Sequence, residues 1–309
     1  MKIALIGRTK WLLDSGKKII SEGGKIELIV TSEAEKFYKC NEEEFREFAK
    51  LHDIKFCLIS SYNQDHLLDN LRTKYDIALS INWPYVLNSK IRNRFKLGVV
   101  NFHCGDLPKY RGNACPNWAI INGEKKIGLT AHFMDDYLDS GPILLKKYLK
   151  INAKTYIKDV YDWLDREMPN LASEIVTGLK NNKVLAKPQS KNFKDIIHCF
   201  PRKPIDSKID WYKTTDSILA LIRASSHPFD GAFTFLENGT KVVIWKAVVY
   251  KMYYEINAIP GQFLFNEKDH LVIASIDGAI LLKDVKVVNA TDMRNKWDNI
   301  RKKLRNRFI

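Results

Sequence analysis

Short apolar runs alternate with amphipathic stretches over the first 180 residues of the chain. Each run is short enough for a buried strand: KIALIG (2–7), KIELIV (25–30), KFCLIS (55–60), DIALSIN (76–82) and LGVVNFH (97–103). Between these runs, apolar residues recur at helical spacing over residues 11–22, 42–53, 65–74 and 85–95. This alternation predicts a mostly parallel sheet with helices on both faces.

The same pattern continues through two further apolar segments, residues 128–135 and 142–151. A long amphipathic helix is predicted over residues 155–180, with Pro169 as a potential kink. The first part of the chain therefore predicts a Rossmann-like α/β domain, in which ligands bind beyond the carboxyl ends of the strands.

A polar stretch at 181–195 is predicted to be a linker, and the pattern changes after it. Beyond residue 201, short strands are separated by turn signals such as ENGT and SIDG. We therefore predict two domains. The Rossmann-like domain with a mostly parallel sheet occupies residues 1–200, and a smaller β-rich C-terminal domain occupies residues 201–309.

The composition fits a globular protein that works in a reducing compartment. The 309 residues are 45% hydrophobic, which is enough for a sizeable core. The apolar run at the N-terminus is too short for a signal peptide, and no run approaches the roughly 18 apolar residues of a membrane span. The five cysteines are scattered without a CxxC pair, which argues against a disulfide framework or structural zinc. We expect a cytoplasmic protein.

The net charge of +14 leaves two interpretations open. A basic protein often binds phosphate, in nucleic acid, in nucleotides or at an anionic membrane. Alternatively, the lysines simply cover a solvated surface, because they are spread along the whole chain. The densest basic run, residues 294–307, predicts a basic helix or tail of unassigned role.

The stretch NFHCGDLPKYRG, residues 101–112, carries the candidate chemistry. A metal site is disfavoured, because neighbouring residues on a strand face opposite sides and no second His/Cys cluster completes a coordination sphere. A nucleophilic Cys104 needs a nearby base, and His103 is expected to face away from it. Cys104 is therefore interpreted as a small apolar filler.

Asn101 and His103 are two residues apart on a predicted strand and should share a face. Asp139, in the loop MDDYLDSGPI, could complete the set by orienting and charging the imidazole. Such a cluster suits acyl transfer to an amine: the amide and the ring stabilise the oxyanion of a tetrahedral intermediate, and the ring moves a proton. Structural Asn and His residues at strand ends are common, so a purely structural interpretation also stays open at this point.

The segment from Asn101 to Leu144 resembles the signature of the folate-dependent formyltransferases. That pattern runs Asn-x-His, Leu-Pro-x-Tyr/Trp-Arg-Gly, a Pro, an apolar helix with Trp, Gly-x-Thr and Asp-x-Gly-x-Ile. The matching positions are Asn101, His103, Leu107, Pro108, Tyr110, Arg111, Gly112, Pro116, Trp118, Gly128, Thr130, Asp139, Gly141 and Ile143. The resemblance extends through the α/β part and, more weakly, into residues 209–235.

The resemblance implies a catalytic triad of Asn101, His103 and Asp139, with 10-formyltetrahydrofolate as the formyl donor and no metal. It implies that the pterin lies against the loop after DIALSIN and against the loop that carries Asp139. The predicted cofactor-binding residues are Asn82, Trp83, Pro84, Tyr85, Val86, Leu87, Asp136 and Tyr137.

The acceptor is predicted to be a nucleotide-linked amino-dideoxy sugar, most simply a dTDP-sugar, because the Asn-Phe-His strand and PNWAIINGEKKIG resemble that branch. Cations in the first strand–helix loop and an aromatic ring could hold a diphosphate and a base; an exposed polar loop is the other interpretation. The predicted substrate-binding residues are Arg8, Lys10, Trp11, Gly105, Tyr110 and Arg111. Of these, Arg111 is interpreted as ordering its loop.

The resemblance leaves two other functions open. Methionyl-tRNA formyltransferase is the alternative and fits the size, the second domain and the basic charge; outside it, no nucleic-acid partner is predicted. A folate- or nucleotide-binding protein without activity is disfavoured by the complete triad. The sugar reading implies synthesis of a bacterial surface polysaccharide such as the O-antigen of lipopolysaccharide. A β-rich C-terminal domain could pair two chains, and we expect a homodimer.

Overall fold

Strands and helices alternate through the first part of the chain, as the apolar runs predict. The computed structural model describes residues 1–35, 38–59, 64–71, 74–288 and 293–309. The elements up to residue 180 are β1 (Lys2–Gly7), α1 (Lys10–Ser21), β2 (Lys25–Ser32), α2 (Glu42–Leu51), β3 (Lys55–Ile59), α3 (Gln64–Asn70), β4 (Ile77–Ile81), α4 (Ser89–Arg92), β5 (Val99–His103), β6 (Arg111–Gly112), α5 (Cys115–Ile121), β7 (Lys126–Phe133), β8 (Ile143–Lys150) and α6 (Ile157–Lys180).

The remaining elements are mostly strands. They are β9 (His198–Cys199), α7 (Thr215–Ser225), β10 (Ala232–Phe235), β11 (Lys241–Tyr250), β12 (Phe263–Glu267), β13 (His270–Ala274), β14 (Ala279–Val287) and α8 (Met293–Arg301). Among the described residues, β10–β14 form a five-stranded antiparallel sheet in the order β10-β11-β14-β13-β12. The predicted β-rich C-terminal part is confirmed.

A mostly parallel sheet dominates the first part, which confirms the predicted fold class. Over the described residues its seven strands run in the order β3-β2-β1-β4-β5-β7-β8. The five strands from β3 to β5 pair in parallel, and β7 is antiparallel to β5. The chain adds β2 and β3 on one side of β1 and then adds β4 and β5 on its other side. In sheets of this kind, ligands bind beyond the carboxyl ends of the two strands at which the order reverses, here β1 and β4.

One row of in-register residues crosses five neighbouring strands of this sheet. Val30 pairs with Ile6, Ile6 with Ser80, Ser80 with Asn101, and Asn101 with His132. Residues opposite one another on paired strands present their side chains to the same face. Ile6 and Val30 of this row pack in a hydrophobic cluster. Because their packing fixes which face of the sheet the row occupies, it also fixes the positions of the Asn101 and His132 side chains.

Contacts between residues divide the chain into two compact units. The first contains Met1–Gly112, Ile127–Leu149 and Asp162–Cys199. The second contains Asn113–Lys126, Lys150–Tyr161 and Phe200–Ile309. Two short inner segments thus group with the C-terminal part, although they lie far from it in sequence. The domain boundary at residue 200 stays a prediction.

Two sequence predictions differ from the structure. The expected helix over 85–95 contains helical turns only at Ser89–Arg92, because the Asn88 side chain caps the Ile91 N–H at 3.0 Å and begins the helix there. The expected linker 181–195 is docked instead: Lys187 forms a bridge with Ile143 of β8. The helix α6 continues through Pro169, between buried Met168 and Leu171.

No helix among the described residues has the length and apolar character needed to cross a bilayer.

The chain's last residues should contribute strongly to the stability of the second unit. Phe308 is fully buried and stacks on Trp211, with ring centroids 5.5 Å apart and an interplanar angle of 15°. Replacing Phe308 with Ala leaves a cavity and should lower the free energy of unfolding by about 3–5 kcal/mol, measured by urea denaturation. The neighbouring Ile309→Ala, at a half-exposed position, is the control and should change it by less than about 1 kcal/mol. Equal losses in both variants would contradict this assignment of the core.

Candidate active site

The Asp139 carboxylate gathers the polar groups of the site. Its Oδ2 accepts a hydrogen bond from the Gly112 N–H at 2.8 Å and lies 3.4 Å from His103 Nδ1. Its Oδ1 accepts from Asn101 Nδ2 at 3.4 Å and lies 3.5 Å from His132 Nε2. The structure thus brings the three predicted catalytic residues together and adds a second histidine.

His132 is the functional candidate that the sequence analysis missed. It pairs in register with Asn101, and its Nε2 lies 3.2 Å from Asn101 Nδ2. Its Nδ1 lies 2.8 Å from the Phe133 carbonyl, which requires a proton on Nδ1, and its Nε2 lies between the Asn101 amide and Asp139 Oδ1. The run GLTAHF predicts a strand, but only the antiparallel pairing of β5 with β7 reveals which residue faces Asn101.

The loop after β5 is shaped around His103. The Tyr110 carbonyl lies 2.6 Å from His103 Nε2, and Tyr110 adopts a left-handed φ of 61°. A Cβ on Gly105 would lie 2.4 Å from that carbonyl and 2.5 Å from His103 Nε2, so only glycine fits there. Gly105 and Tyr110, predicted to bind substrate, therefore contact the histidine through backbone atoms.

The segment predicted to be a linker holds the Asp139 loop in place. Gln189 Nε2 donates to the Asp139 carbonyl at 2.9 Å and to the Gly141 carbonyl at 2.8 Å. Arg111 Nη2 donates to Gln189 Oε1 at 2.8 Å, and the Arg111 side chain is buried. Asp139 has a φ of 50°, a left-handed conformation that such contacts can stabilise. Arg111 thus contacts the Asp139 loop only through Gln189, and its interpretation as a residue that orders its own loop stays a prediction.

Burial and the surrounding groups shift the titration of the site. Burial raises the pKa of Asp139, but the charge of His103 and hydrogen bonds from His132 and Gly112 outweigh it and lower the pKa to about 2. Burial lowers the pKa of His103, against the opposing effects of Asp139 and the Tyr110 carbonyl. Burial thus favours the neutral ring and Asp139 favours the charged one, and the expectation that the carboxylate charges the ring stays a prediction. Burial also raises the pKa of the Cys104 thiol to about 12, which suits a filler rather than a nucleophile.

The loop that follows β4, predicted to hold the pterin, combines packed and exposed residues. Trp83 and Leu87 pack with Met134 in one hydrophobic cluster. Val86 is 74% exposed, and Tyr137 in the loop after β7 is 79% exposed. The other predicted members of these loops also face solvent wholly or in part; they are Asn82, Pro84, Tyr85 and Asp136.

Buried polar atoms without hydrogen-bond partners lie in this region. Within the described residues, Ser80 Oγ and Trp83 Nε1 are buried and make no hydrogen bond. Ser80 stands beside Asn101 in the register row, and Trp83 begins the adjoining loop. An unpartnered buried polar group costs about 1–3 kcal/mol, so a polar ligand or ordered water here would relieve that cost.

The first strand–helix loop makes contacts of its own, away from the Asp139 carboxylate. Arg8 pairs with Glu35 at 3.2 Å and lies over the Tyr38 ring at 5.2 Å. Lys10 pairs with Asp14 at 2.6 Å on the same helix, and Trp11 Nε1 donates to Asp165 at 2.6 Å. None of these contacts is with the predicted triad.

Across the described ranges, no group of three or more His, Cys, Asp or Glu residues is placed to hold a metal ion.

The fold and the site define an α/β enzyme whose polar cluster lies beyond the carboxyl edge of a Rossmann-like sheet. The chain belongs to the formyl transferase family: residues 1–176 match the family "Formyl transferase" and residues 202–297 match "Formyl transferase, C-terminal domain". It is a formyltransferase, an enzyme that transfers formyl groups. The predicted family is confirmed.

Similar proteins include methionyl-tRNA formyltransferases among the sequence relatives and N-formyltransferases among the solved structures. The methionyl-tRNA formyltransferase of Ruminiclostridium cellulolyticum is 28% identical over 306 residues, covering 95% of this chain and 94% of that protein. WlaRD, a sugar 3N-formyl transferase solved in the presence of dTDP and 5-N-formyl-THF, has a TM-score of 0.66 and 21% identity, covering 94% of this chain and 98% of that one. The N-formyltransferase from Helicobacter canadensis, in complex with folinic acid and dTDP-3-aminofucose, has a TM-score of 0.66 and 20% identity, covering 92% and 99%. At these identities the two solved structures show a shared fold.

The shifted pKa values predict how acid destabilises the protein. Because burial lowers the pKa of His103 in the folded protein, this histidine takes up a proton at a higher pH in the unfolded chain than in the folded one. The free energy of unfolding should therefore fall as the pH drops below about 6.5. Asp139 should contribute about 2 kcal/mol above pH 4, which is lost between about pH 4 and pH 2; its side chain is only 9% exposed, so screening is weak.

Urea unfolding measured from pH 8 to pH 5 tests the histidine's part of this prediction. The variant His103→Gln should show a shallower decline than the wild type, whereas His198→Gln, at an exposed position, should follow the wild type. If the free energy of unfolding of His103→Gln declined with pH as steeply as that of the wild type, a lowered pKa of His103 would be contradicted.

Proposed function

We propose that this enzyme transfers the formyl group of 10-formyltetrahydrofolate to the amine of a nucleotide-linked amino-dideoxy sugar, with dTDP as the nucleotide. The contact of one buried Asp139 carboxylate with both Asn101 and His103 carries the proposal. Placed beyond the carboxyl edge of the sheet, this cluster offers a hydrogen-bond donor, a proton acceptor and a fixed negative charge side by side.

Each member of the cluster has a separate task. His103, with the pKa of its ring lowered by burial, accepts at Nδ1 the proton that the attacking amine must lose, because Nε2 of the neutral ring carries the hydrogen donated to the Tyr110 carbonyl. The ring then gives the proton to the folate nitrogen that leaves as tetrahydrofolate. Asn101 Nδ2 turns one of its two N–H groups from the Asp139 carboxylate, 3.4 Å away, to the formyl oxygen as that oxygen gains negative charge. Asp139 stays ionised, with a pKa of about 2, and fixes the orientation of the ring. His132 Nε2 supports the orientation of the Asn101 amide.

The residues beside the cluster fit a folate. The folate supplies the activated formyl group. Residues 82–87 offer backbone groups and the unpartnered Trp83 Nε1–H, and the neighbouring Ser80 hydroxyl can donate or accept a further hydrogen bond. Exposed Val86 and Tyr137 provide apolar contact for a flat ring system, and Asp136 lies on the same loop as Tyr137. The two solved relatives were crystallised with formylated folates, which supports this part of the proposal.

Two arguments support a sugar nucleotide as the acceptor. The Asn-Phe-His strand and the segment PNWAIINGEKKIG resemble the sugar-nucleotide branch. Both solved relatives share the fold over more than nine tenths of this chain, and both were crystallised with dTDP or a dTDP-sugar. Arg8 and Lys10 are the proposed diphosphate ligands and Trp11 the proposed stacking ring, while Gly105, Tyr110 and Arg111 shape the acceptor side of the site.

Methionyl-tRNA formyltransferase is the second candidate function. The 28% identity over nearly the whole chain favours it, as does the net charge of +14, since phosphate backbones are bound by many cations. Part of the basic run 294–307 serves the fold rather than a ligand, because buried Arg301 pairs with Asp298 and Asp269.

If the acceptor is a sugar nucleotide, we propose that the enzyme acts in the cytoplasm, as a homodimer, in synthesis of a surface polysaccharide such as O-antigen.

The catalytic assignment predicts which side chains control turnover. His103→Ala should lower kcat about 10²- to 10⁴-fold, because the proton acceptor is lost. Asn101→Ala should lower it about 10²- to 10³-fold through loss of the oxyanion donor. Steady-state formylation assays measure both values. Cys104→Ala is the matched control from the same strand end and should retain kcat. Near-normal turnover in His103→Ala would reject the proposed mechanism.

A competition between acceptors tests the proposed substrate. Purified enzyme with 10-formyltetrahydrofolate is offered dTDP-linked 3-amino and 4-amino sugars in parallel with charged initiator tRNA, and products are identified by mass spectrometry. We expect formylation of an amino-sugar nucleotide, with kcat/KM at least 100-fold above that for tRNA. Formylation of tRNA alone would overturn the sugar proposal in favour of the second candidate. Arg8→Ala should raise KM for the sugar nucleotide without changing kcat.

A further inference from the structure

We propose that Arg92 is a positioning residue for the formyl donor. It would act by holding the two loops that form the donor site, residues 82–88 after β4 and residues 134–139 after β7, at a fixed separation. This inference rests on the proposed function, because it gives those loops the task of binding folate.

Arg92 contacts both loops through one guanidinium group. It lies at the end of the short helix α4, and its Nη1 donates to the Leu87 carbonyl at 2.6 Å. Its Nη2 donates to the Asp136 carboxylate. The Arg92 side chain is only 13% exposed, so the guanidinium is fixed between its two acceptors.

The bases of the two loops are already held by apolar packing. Trp83 and Leu87 from one loop and Met134 from the other lie in the same hydrophobic cluster. Towards the tips, Val86 is 74% exposed and Tyr137 is 79% exposed. Arg92 adds a polar link from the backbone of buried Leu87 in one loop to the exposed Asp136 in the other, and Asp136 is three residues from Asp139.

Arginine suits this position better than lysine. A planar guanidinium can donate to a carbonyl and to a carboxylate at the same time, whereas an ammonium is a single point charge on a flexible stem. The Asp136 side chain is 76% exposed, so the ion pair adds little to folding stability. The consequence of the bridge should therefore appear in binding of the donor rather than in the stability of the fold.

The test compares Arg92→Lys, Asp136→Asn and the double variant with Arg94→Lys. Arg94 is an exposed arginine two residues away and serves as the matched control. Four quantities are measured for the full chain: KM for 10-formyltetrahydrofolate, kcat, the melting temperature, and the Kd of 5-formyltetrahydrofolate by calorimetry as a stable probe.

We expect KM and Kd to rise about five- to tenfold in Arg92→Lys, a loss of about 1 kcal/mol of binding. The melting temperature should stay within about 2 °C of the wild type, and kcat should fall by less than about threefold. The double variant should bind no more weakly than the worse single variant, since both changes break one bridge. Arg94→Lys should match the wild type in all four measurements.

Different outcomes separate this inference from the proposed function. If the wild type binds 5-formyltetrahydrofolate and Arg92→Lys binds it equally well, the inference is wrong and the proposed function stands. A lower melting temperature with unchanged KM and Kd would also overturn it, by showing a purely structural role. If the wild type neither binds the probe nor uses the donor, the proposed function fails, and this inference fails with it.

Discussion

The buried carboxylate of Asp139 is the constraint around which the first unit is arranged. A carboxylate with a side chain only 9% exposed must be paired or hydrogen-bonded, or it would take up a proton. Its partners come from three strands: His103 at the end of β5, the backbone of Gly112 on β6, and His132 on β7. Glycines admit this approach, since a Cβ on Gly141 would lie 1.9 Å from the Phe133 carbonyl.

The position of that carboxylate depends in turn on strand register. Asn101 and His132 meet because they are opposite one another in the β5–β7 pair. A slip of one residue would turn both side chains to the other face and would also move the apolar residues of the sheet out of the core. The packing that stabilises the sheet and the geometry of the proposed catalytic cluster are therefore specified by the same alternation of side chains.

The sequence predicted the parts of the molecule that depend on local pattern. Alternation of apolar runs and amphipathic stretches gave the parallel sheet, and the spacing of Asn101 and His103 placed them on one face. Residues that reach the site through tertiary pairing could not be predicted from local pattern. His132 is placed by the antiparallel pairing of β7 with β5, and Gln189 lies in a stretch with no apolar pattern. The helix expected over 85–95 was too long because Asn88 competes for the backbone as a cap.

Two arginines predicted to bind substrate differ in how freely they can do so. Arg111 is buried and donates to Gln189, which holds the backbone of Asp139, so drawing it towards a ligand would disturb the Asp139 loop. Arg8 pairs with Glu35, a carboxylate whose side chain is 50% exposed, and such a pair contributes only about 0–1 kcal/mol. The diphosphate of the proposed acceptor would carry more charge than a carboxylate and could accept from several donors at once, so it could replace Glu35 at small cost. If Arg8 exchanges Glu35 for the ligand, the acceptor can bind without altering the Asp139 cluster. Residues that select the acceptor could then change without changing the residues proposed to carry out the formyl transfer.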